Sequence, residues 1–317
     1  MKIRNLFFAG LAVCSLAACS NDDEPGIEGA GSPASLSIDV ASAINSKAYS
    51  DTQTDAEATM KNTIITVAGA GFSRVYDAAE YVKTGTITIQ KGEGLVVGGN
   101  YTVTAEVKGD QAATYPTVAL ASETAAKGFT MYGTKSTGAL QSSGNTVEVV
   151  VNRTAARVDF ESLELAYAGP SQGTIKVTNF KVESVKLTGV NDAADAKSGV
   201  GSTAAAAELA GTYTGSVALG SSATELGQFY VYPNSAKTTY LVIAGKLVYS
   251  DGTEMPTTYS TAIDGTTAGQ AAPISRNTIY NIAAKITGDG TGIEGTDLTL
   301  TITCADWSTV SLTPDLD

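Results

Sequence analysis

The chain has 317 residues and no histidine. That absence removes serine–histidine and cysteine–histidine catalysis and the commonest metal ligand. Tryptophan occurs once and aromatic residues make up 7% of the chain, so no stacking platform for glycan stands out. Positive charge is scarce: 20 Lys and Arg stand against 32 Asp and Glu, a net charge of −12. Such a surface repels nucleic acid and anionic lipid. The acids are scattered, and no spacing converges two of them for acid–base work. "GDGTGIEGTD" (288–297) lacks the acid spacing and closing glutamate of an EF-hand, and reads as a turn-rich connection. "GEGLVVGG" (92–99) has no strand–loop–helix context for phosphate. These absences point away from an enzyme, a metal site, a cofactor or a nucleic-acid partner.

What is present begins with "MKIRNLFFAGLAVCSLAACS". Lys2 and Arg4 open it, an apolar core follows, and small residues close it at Ala18: a secretory signal over residues 1–18. The apolar run is shorter than the ~20 residues that span a bilayer. "LAAC" (16–19) resembles the lipobox of bacterial lipoproteins, with cleavage before Cys19 and lipid on its thiol. A triacylated cysteine is a strong anchor, at about 0.8 kcal/mol per buried methylene. The acid run "SNDDE" (20–24) resembles the signal that sends some outer-membrane lipoproteins to the outside face. The three cysteines are Cys14 in the leader, Cys19, and Cys304. Cys304 is thereby left alone, and no intrachain disulfide forms in the mature protein. In "LTLTITC" it falls on the expected inward face and reads as a small buried apolar residue.

Elsewhere the apolar residues recur with a period of two. "LSIDVA" places Leu36, Ile38 and Val40 on one face; "TGTITIQ", "YTVTAEV", "TVEVVV", "RVDFESLEL", "IKVTNFKVESVKL", "FYVY", "TYLVIAGKLVY", "TIYNIAAKI" and "LTLTITC" follow. Alternation broken by Gly, Asn and Asp turns predicts half-buried strands in β-sandwiches. The exception is a small-residue insertion at 192–211, with one short helix expected around 204–209. A boundary in "VNRTAARVDF" divides the mature chain into sandwiches over 48–155 and 156–317. Arg153, Arg157 and Arg276 read as exposed or inter-domain salt partners.

Several stretches together resemble one family. They are "VEVVVNRTAARVDF", "GFTMYG" (128–133), "GGNYTVTAEV", "FYVYPN" (229–234), "SRNTIYNIAAKITGDG" (275–290) and the terminal "LTLTITCADW". Their order and spacing resemble the FimA-like fimbrillins, the type V pilins. The resemblance implies an all-β fold of two tandem transthyretin-like Greek-key sandwiches. It also implies a major fimbrial subunit at the cell surface, exported as an outer-membrane lipoprotein precursor and supporting adhesion. The family is often cut after an arginine behind the first strand. Here "INSKAYSD" offers Lys47, with the cut before Ala48, and Arg74 is the weaker site. Residues 19–47 are then a propeptide that carries the first strand. Loss of residues 1–47 as a whole takes Lys and Arg from 20 to 17 and Asp and Glu from 32 to 27, a mature charge of −10.

Loss of the strand bearing Leu36, Ile38 and Val40 would open a groove for a strand of another chain. The resemblance assigns that donor to the tail, 298–317. Its anchors are Leu298, Leu300, Ile302, Cys304, Trp307, Val310 and Leu312, and Pro314 ends the pairing. The partners implied are further copies head to tail, anchor and tip subunits, and host or bacterial surface ligands; membrane contact is through the precursor lipid alone. The other reading is a monomeric, tip or anchor surface lipoprotein that binds glycan or host protein. Trp307 reads as a buried anchor or an adhesive contact.

Overall fold

The structure is a computed structural model that describes residues 29–42, 57, 60–77, 86–169, 174–201, 207–234, 239–263, 274–291 and 297–306. Regular structure among them is almost entirely β-strand. In the first half the strands are β1 (Leu36–Ser42), β2 (Thr63–Gly69), β3 (Phe72–Tyr76), β4 (Thr86–Ile89), β5 (Asn100–Val107), β6 (Thr117–Ala119), β7 (Met131–Ala139) and β8 (Asn145–Arg153). The second half holds β9 (Ala156–Leu165), β10 (Val177–Val190), β11 (Ala193–Asp195), β12 (Val200–Gly201), β13 (Ala207–Ala210), β14 (Gly215–Ala218), β15 (Ser222–Val231), β16 (Tyr240–Tyr249), β17 (Glu254–Ala262), β18 (Thr278–Ile286) and β19 (Leu298–Asp306).

Pairing sorts these strands into two groups. The first is a seven-stranded sheet in the order β3-β2-β5-β7-β8-β1-β4. β7 and β8 share only two register pairs, Met131↔Arg153 and Tyr132↔Asn152, so the sheet folds over at that corner into two facing layers. Ile65, Val67, Val103 and Val107 from one layer pack with Leu36, Ile38, Ile89, Val149 and Val151 from the other. The second group is a four-stranded sheet, β15-β9-β18-β19, and a five-stranded one, β13-β10-β16-β17 with β14 also on β10. The fold is an all-β sandwich, as the period of two demands.

Local chemistry explains the tightest points. β2 and β3 are joined by Ala70 and Gly71, both at positive φ (45° and 83°), which is a type I′ hairpin turn. At the β7–β8 corner the backbones almost touch: a Cβ on Gly133 would lie 2.2 Å from the Val150 carbonyl oxygen. We therefore expect Gly133→Ala to destabilise the protein by about 1–3 kcal/mol, the usual cost of overpacking. Urea denaturation of the two chains checks it.

The two groups meet without a loop. Only Thr154 and Ala155 separate β8 from β9, and both are buried. Thr154 N donates to Thr130 O and Asn277 N donates to Ala155 O, each at 2.9 Å. A third small sheet, β12-β11-β6, straddles the junction, because β6 lies in the first half and β11 in the second. Lys197 in the β11–β12 turn reaches back to Glu106 on β5 at 2.8 Å. Among its described residues, 192–201 and 207–211, the insertion carries the strands β11, β12 and β13. Where a helix was expected, β13 pairs with β10 through Leu187↔Leu209. Small residues set no helix there, because the unpaired rim of β10 supplies a ready ladder.

Candidate functional site

The strand with the most unusual placement is β1. It lies inside the seven-stranded sheet, between strands far from it in sequence. Seven parallel pairs, from Leu36↔Asn145 to Ser42↔Val151, join it to β8. Four antiparallel pairs, Leu36↔Ile89 to Asp39↔Thr86, join it to β4. Upstream, Ala34 N donates to Leu95 O at 2.9 Å and Val97 N donates to Ser32 O at 2.8 Å. The Asn145 side-chain amide donates to Ser35 O at 2.8 Å, and Thr86 Oγ1 donates to Asp39 Oδ1 at the same distance. Leu36, Ile38 and Val40 point into the core, exposed by 1%, 0% and 7%. Each such aliphatic side chain contributes about 1.5–3 kcal/mol. Taken out, β1 would leave a slot with one polar ladder on each side and apolar pockets beneath. Beyond Asp39, β1 has only β8 as a register partner.

Of the other residues singled out by the sequence, Cys19, Lys47, Trp307, Val310 and Leu312 lie outside the described residues. Arg74 sits within β3. Its backbone is in register with Val67, its Nη1 lies 2.9 Å from Glu93 Oε1, and its guanidinium stacks 4.7 Å over the Tyr76 ring. Leu298, Leu300, Ile302 and Cys304 lie on β19, the edge strand, paired through nine residues with β18. Burial fades along it: Leu298 is buried, Leu300 and Ile302 are half-buried, and Cys304 is exposed. The expectation that Cys304 is buried is therefore corrected. Alternation fixes which face a residue takes, but only a covering layer makes that face a core, and the cover thins towards the end of β19.

Sequence reasoning missed the polar network at the junction. Arg153 and Arg157 flank the β8–β9 link and are exposed by 0% and 3%. Arg157 Nη1 donates to the two Glu57 carboxylate oxygens at 3.3 and 3.0 Å, and its Nε donates to Asp159 Oδ2 at 2.9 Å. Tyr230 OH donates to Glu57 Oε1 at 2.7 Å, and Arg153 Nη2 donates to the Glu57 backbone carbonyl at 2.9 Å. Beside them, Glu123 accepts from Thr130 N at 3.1 Å, from Thr130 Oγ1, from Gln111 Nε2 at 3.2 Å and from Tyr232 OH at 3.1 Å. Burial pushes the Glu123 carboxyl up to about 7, although these donors and Arg153 pull the other way. Burial likewise lowers Arg153 to about 9. The signal in the sequence was the pair Arg153 and Arg157, two cations four residues apart; Asp159 is local to them, but Glu57 and Tyr230 come from segments no local pattern connects.

In the segment 288–297 the two described acids are held in local bonds: Asp289 Oδ1 accepts from Thr291 N at 3.0 Å and Asp297 Oδ2 from Gly290 N at 3.1 Å. Among the described residues no three His, Cys, Asp or Glu side chains are grouped to hold a metal. A groove at the β9–β15 bulge is lined by Asp159, Phe160, Glu161, Glu225, Gly227 and Gln228. Phe160 is buried and presents no stacking face.

No protein-family model matches the chain, and no curated protein matches it. Solved structures do match in fold. A fimbrilin, FimA, from Porphyromonas gingivalis W83 superposes with a TM-score of 0.57 at 18% identity, over 89% of this chain and 99% of that one. A proposed cell adhesion protein from Parabacteroides distasonis gives 0.61 at 16% identity, over 89% and 99%. Another, from Bacteroides eggerthii, gives 0.53 at 18%, over 89% and 98%. At these identities the likeness is one of fold.

Proposed function

We propose that the chain is a structural subunit of a surface fimbria, assembled by strand exchange. In this reading the precursor is lipidated on Cys19 and cut between Lys47 and Ala48. β1 then leaves with the propeptide, and a strand from the tail of the next copy fills its slot. The observation that carries the reading is the slot itself. β1 is held by ladders to β8 and β4, both remote in sequence, so a cut in the connection to β2 makes it a separate, replaceable strand. Lys47 lies on that connection. A cut at Arg74 would leave β1 covalently tied to β2, which is paired on both sides. The donor suits an edge position: β19 has one strand neighbour, so its release breaks one ladder. The fold shared with a fimbrilin supports the same assignment. Such a head-to-tail contact does not close and yields a filament.

The cut alone does not eject β1. Eleven register pairs, seven with β8 and four with β4, and three buried aliphatic side chains remain after the nick. The released peptide is expected to stay bound to the nicked monomer on size-exclusion chromatography and to separate in denaturant. Elution of free peptide straight after cutting would contradict a slot that is emptied only by exchange.

The function is tested by the intact mass of surface-extracted protein beside an unboiled gel. An N-terminus at Ala48 with a ladder of multimers, lost on truncation after Trp307, supports the stalk subunit. An acylated Cys19 with monomer only would reject it.

A further inference from the structure

Glu57 stands between β1 and β2 in the chain, yet it touches the second sandwich. Its carboxylate meets Arg157 on β9 and Tyr230 on β15, and its carbonyl meets Arg153 at the end of β8. The residue is 0% exposed, Arg153 is also 0% exposed and Arg157 only 3%. A carboxylate this deep survives only with charged and hydrogen-bonded partners, and both kinds are in place. Four residues on, Lys61 is tied down as well. Its carbonyl accepts from Gly109 N at 3.1 Å, its Nζ donates to Ala126 O, and Asn62 O accepts from Lys108 N at 3.4 Å. Between β1 and β2 the sequence has two basic residues, Lys47 and Lys61. A trypsin-like protease therefore meets two sites, and cutting at Lys61 requires the local bonds to open first.

We propose that Arg157 and Tyr230 form a buried carboxylate receptor at the junction, with Arg153 holding the adjoining backbone carbonyl, that Glu57 is its ligand within the same chain, and that this bond stops trypsin-like trimming short of Lys61. The inference rests on the maturation reading for the cut at Lys47, not for the receptor. The latch holds Glu57 on the body, as the bonds of Lys61 and Asn62 hold those residues, so the departing strand and the retained body are divided upstream of Glu57.

The test is a trypsin time course on the detergent-solubilised full-length precursor, read by N-terminal sequencing and intact mass. Wild type, Glu57→Ala and Glu57→Gln are compared. In the wild type the product beginning at Ala48 persists and the one beginning at Asn62 forms slowly. Glu57→Ala is expected to speed the Lys61 cut on the order of a hundredfold, because the buried Arg157 loses one of its two carboxylate partners and the Tyr230 hydroxyl loses its Glu57 acceptor. Sodium formate should slow that cut again, and sodium chloride at equal ionic strength should not. Glu57→Gln keeps the shape without the charge and should lie between. Equal Lys61 cutting in all three chains overturns the proposal, and so does a Glu57→Ala rate that formate leaves unchanged. Should Glu57→Ala not fold, a Glu57→Gln chain cut as slowly as wild type overturns it instead. A wild type that resists cutting at Lys47 but whose Lys61 cut still speeds up in the variants would sink the maturation reading and leave the receptor standing.

Discussion

Replacing Ile38 with aspartate is expected to stop the full-length chain from folding. Ile38 is fully buried at the centre of β1, in register with Val147 on one side and Ile87 on the other. No cation is paired with those positions, so the new carboxyl would lie among aliphatic side chains. Burying it costs about 4 kcal/mol or more, and the lost isoleucine adds to that. A typical domain has only about 5–15 kcal/mol in total. The next residue is a matched control: Asp39 is exposed, and Asp39→Ala should cost under about 1 kcal/mol. Yield of soluble full-length protein and its near-UV circular dichroism are the measurements. Wild-type yield and spectrum for Ile38→Asp would mean that β1 is not part of the core, and the slot would go with it.

A second large effect concerns Glu123. Folded, its carboxyl titrates near 7; unfolded, near 4.5. Between those values the folded chain holds a proton that the unfolded chain has released. Raising the pH through this window therefore favours unfolding, by about 3 kcal/mol across it. The sign is opposite to that of an ordinary salt-bridged carboxylate, because here burial outweighs the donors. Glu123→Gln keeps an acceptor for Thr130 and Tyr232 and carries no charge, so it should flatten this part of the profile. Urea midpoints for both chains at about pH 5 and about pH 8 decide it. A wild type that gains stability over that range through a contribution absent from Glu123→Gln would show that the four donors dominate instead.

Much of the strand content was legible because alternation is a local signal. "LSIDVA" and "YTVTAEV" became β1 and β5 with Leu36, Ile38 and Val40 and with Tyr101, Val103, Ala105 and Val107 inward, and "TYLVIAGKLVY" became β16 with Leu241, Ile243 and Leu247 inward and Val242 and Val248 on its half-buried face. β3 was not legible: "FSRVY" exposes Ser73, Arg74 and Val75 together, since it lies at a sheet edge. The strands of the 192–211 insertion were hidden for another reason. β11 and β12 are three and two residues long; β11 takes its place through long-range pairing with β6, and β12 adds to β11. The slot around β1 could be inferred only through the family resemblance, since nothing in the residues announces that a strand pairs in parallel with another more than a hundred positions away. The junction network was half legible: the arginines were noticed, but Glu57, Glu123 and Tyr232 come from three separate segments.

The two-residue link between β8 and β9 also has a mechanical meaning. A pull applied at the β1 slot and at the far end of β19 would load β8 and β9 nearly as one continuous cable, since no slack loop interrupts them. The ladders beside that cable resist together, and the β6–β11 brace keeps the halves from swivelling. In a filament of such subunits, stretch and bending would therefore be taken up at the joints between neighbours, and each subunit would behave as a stiff link.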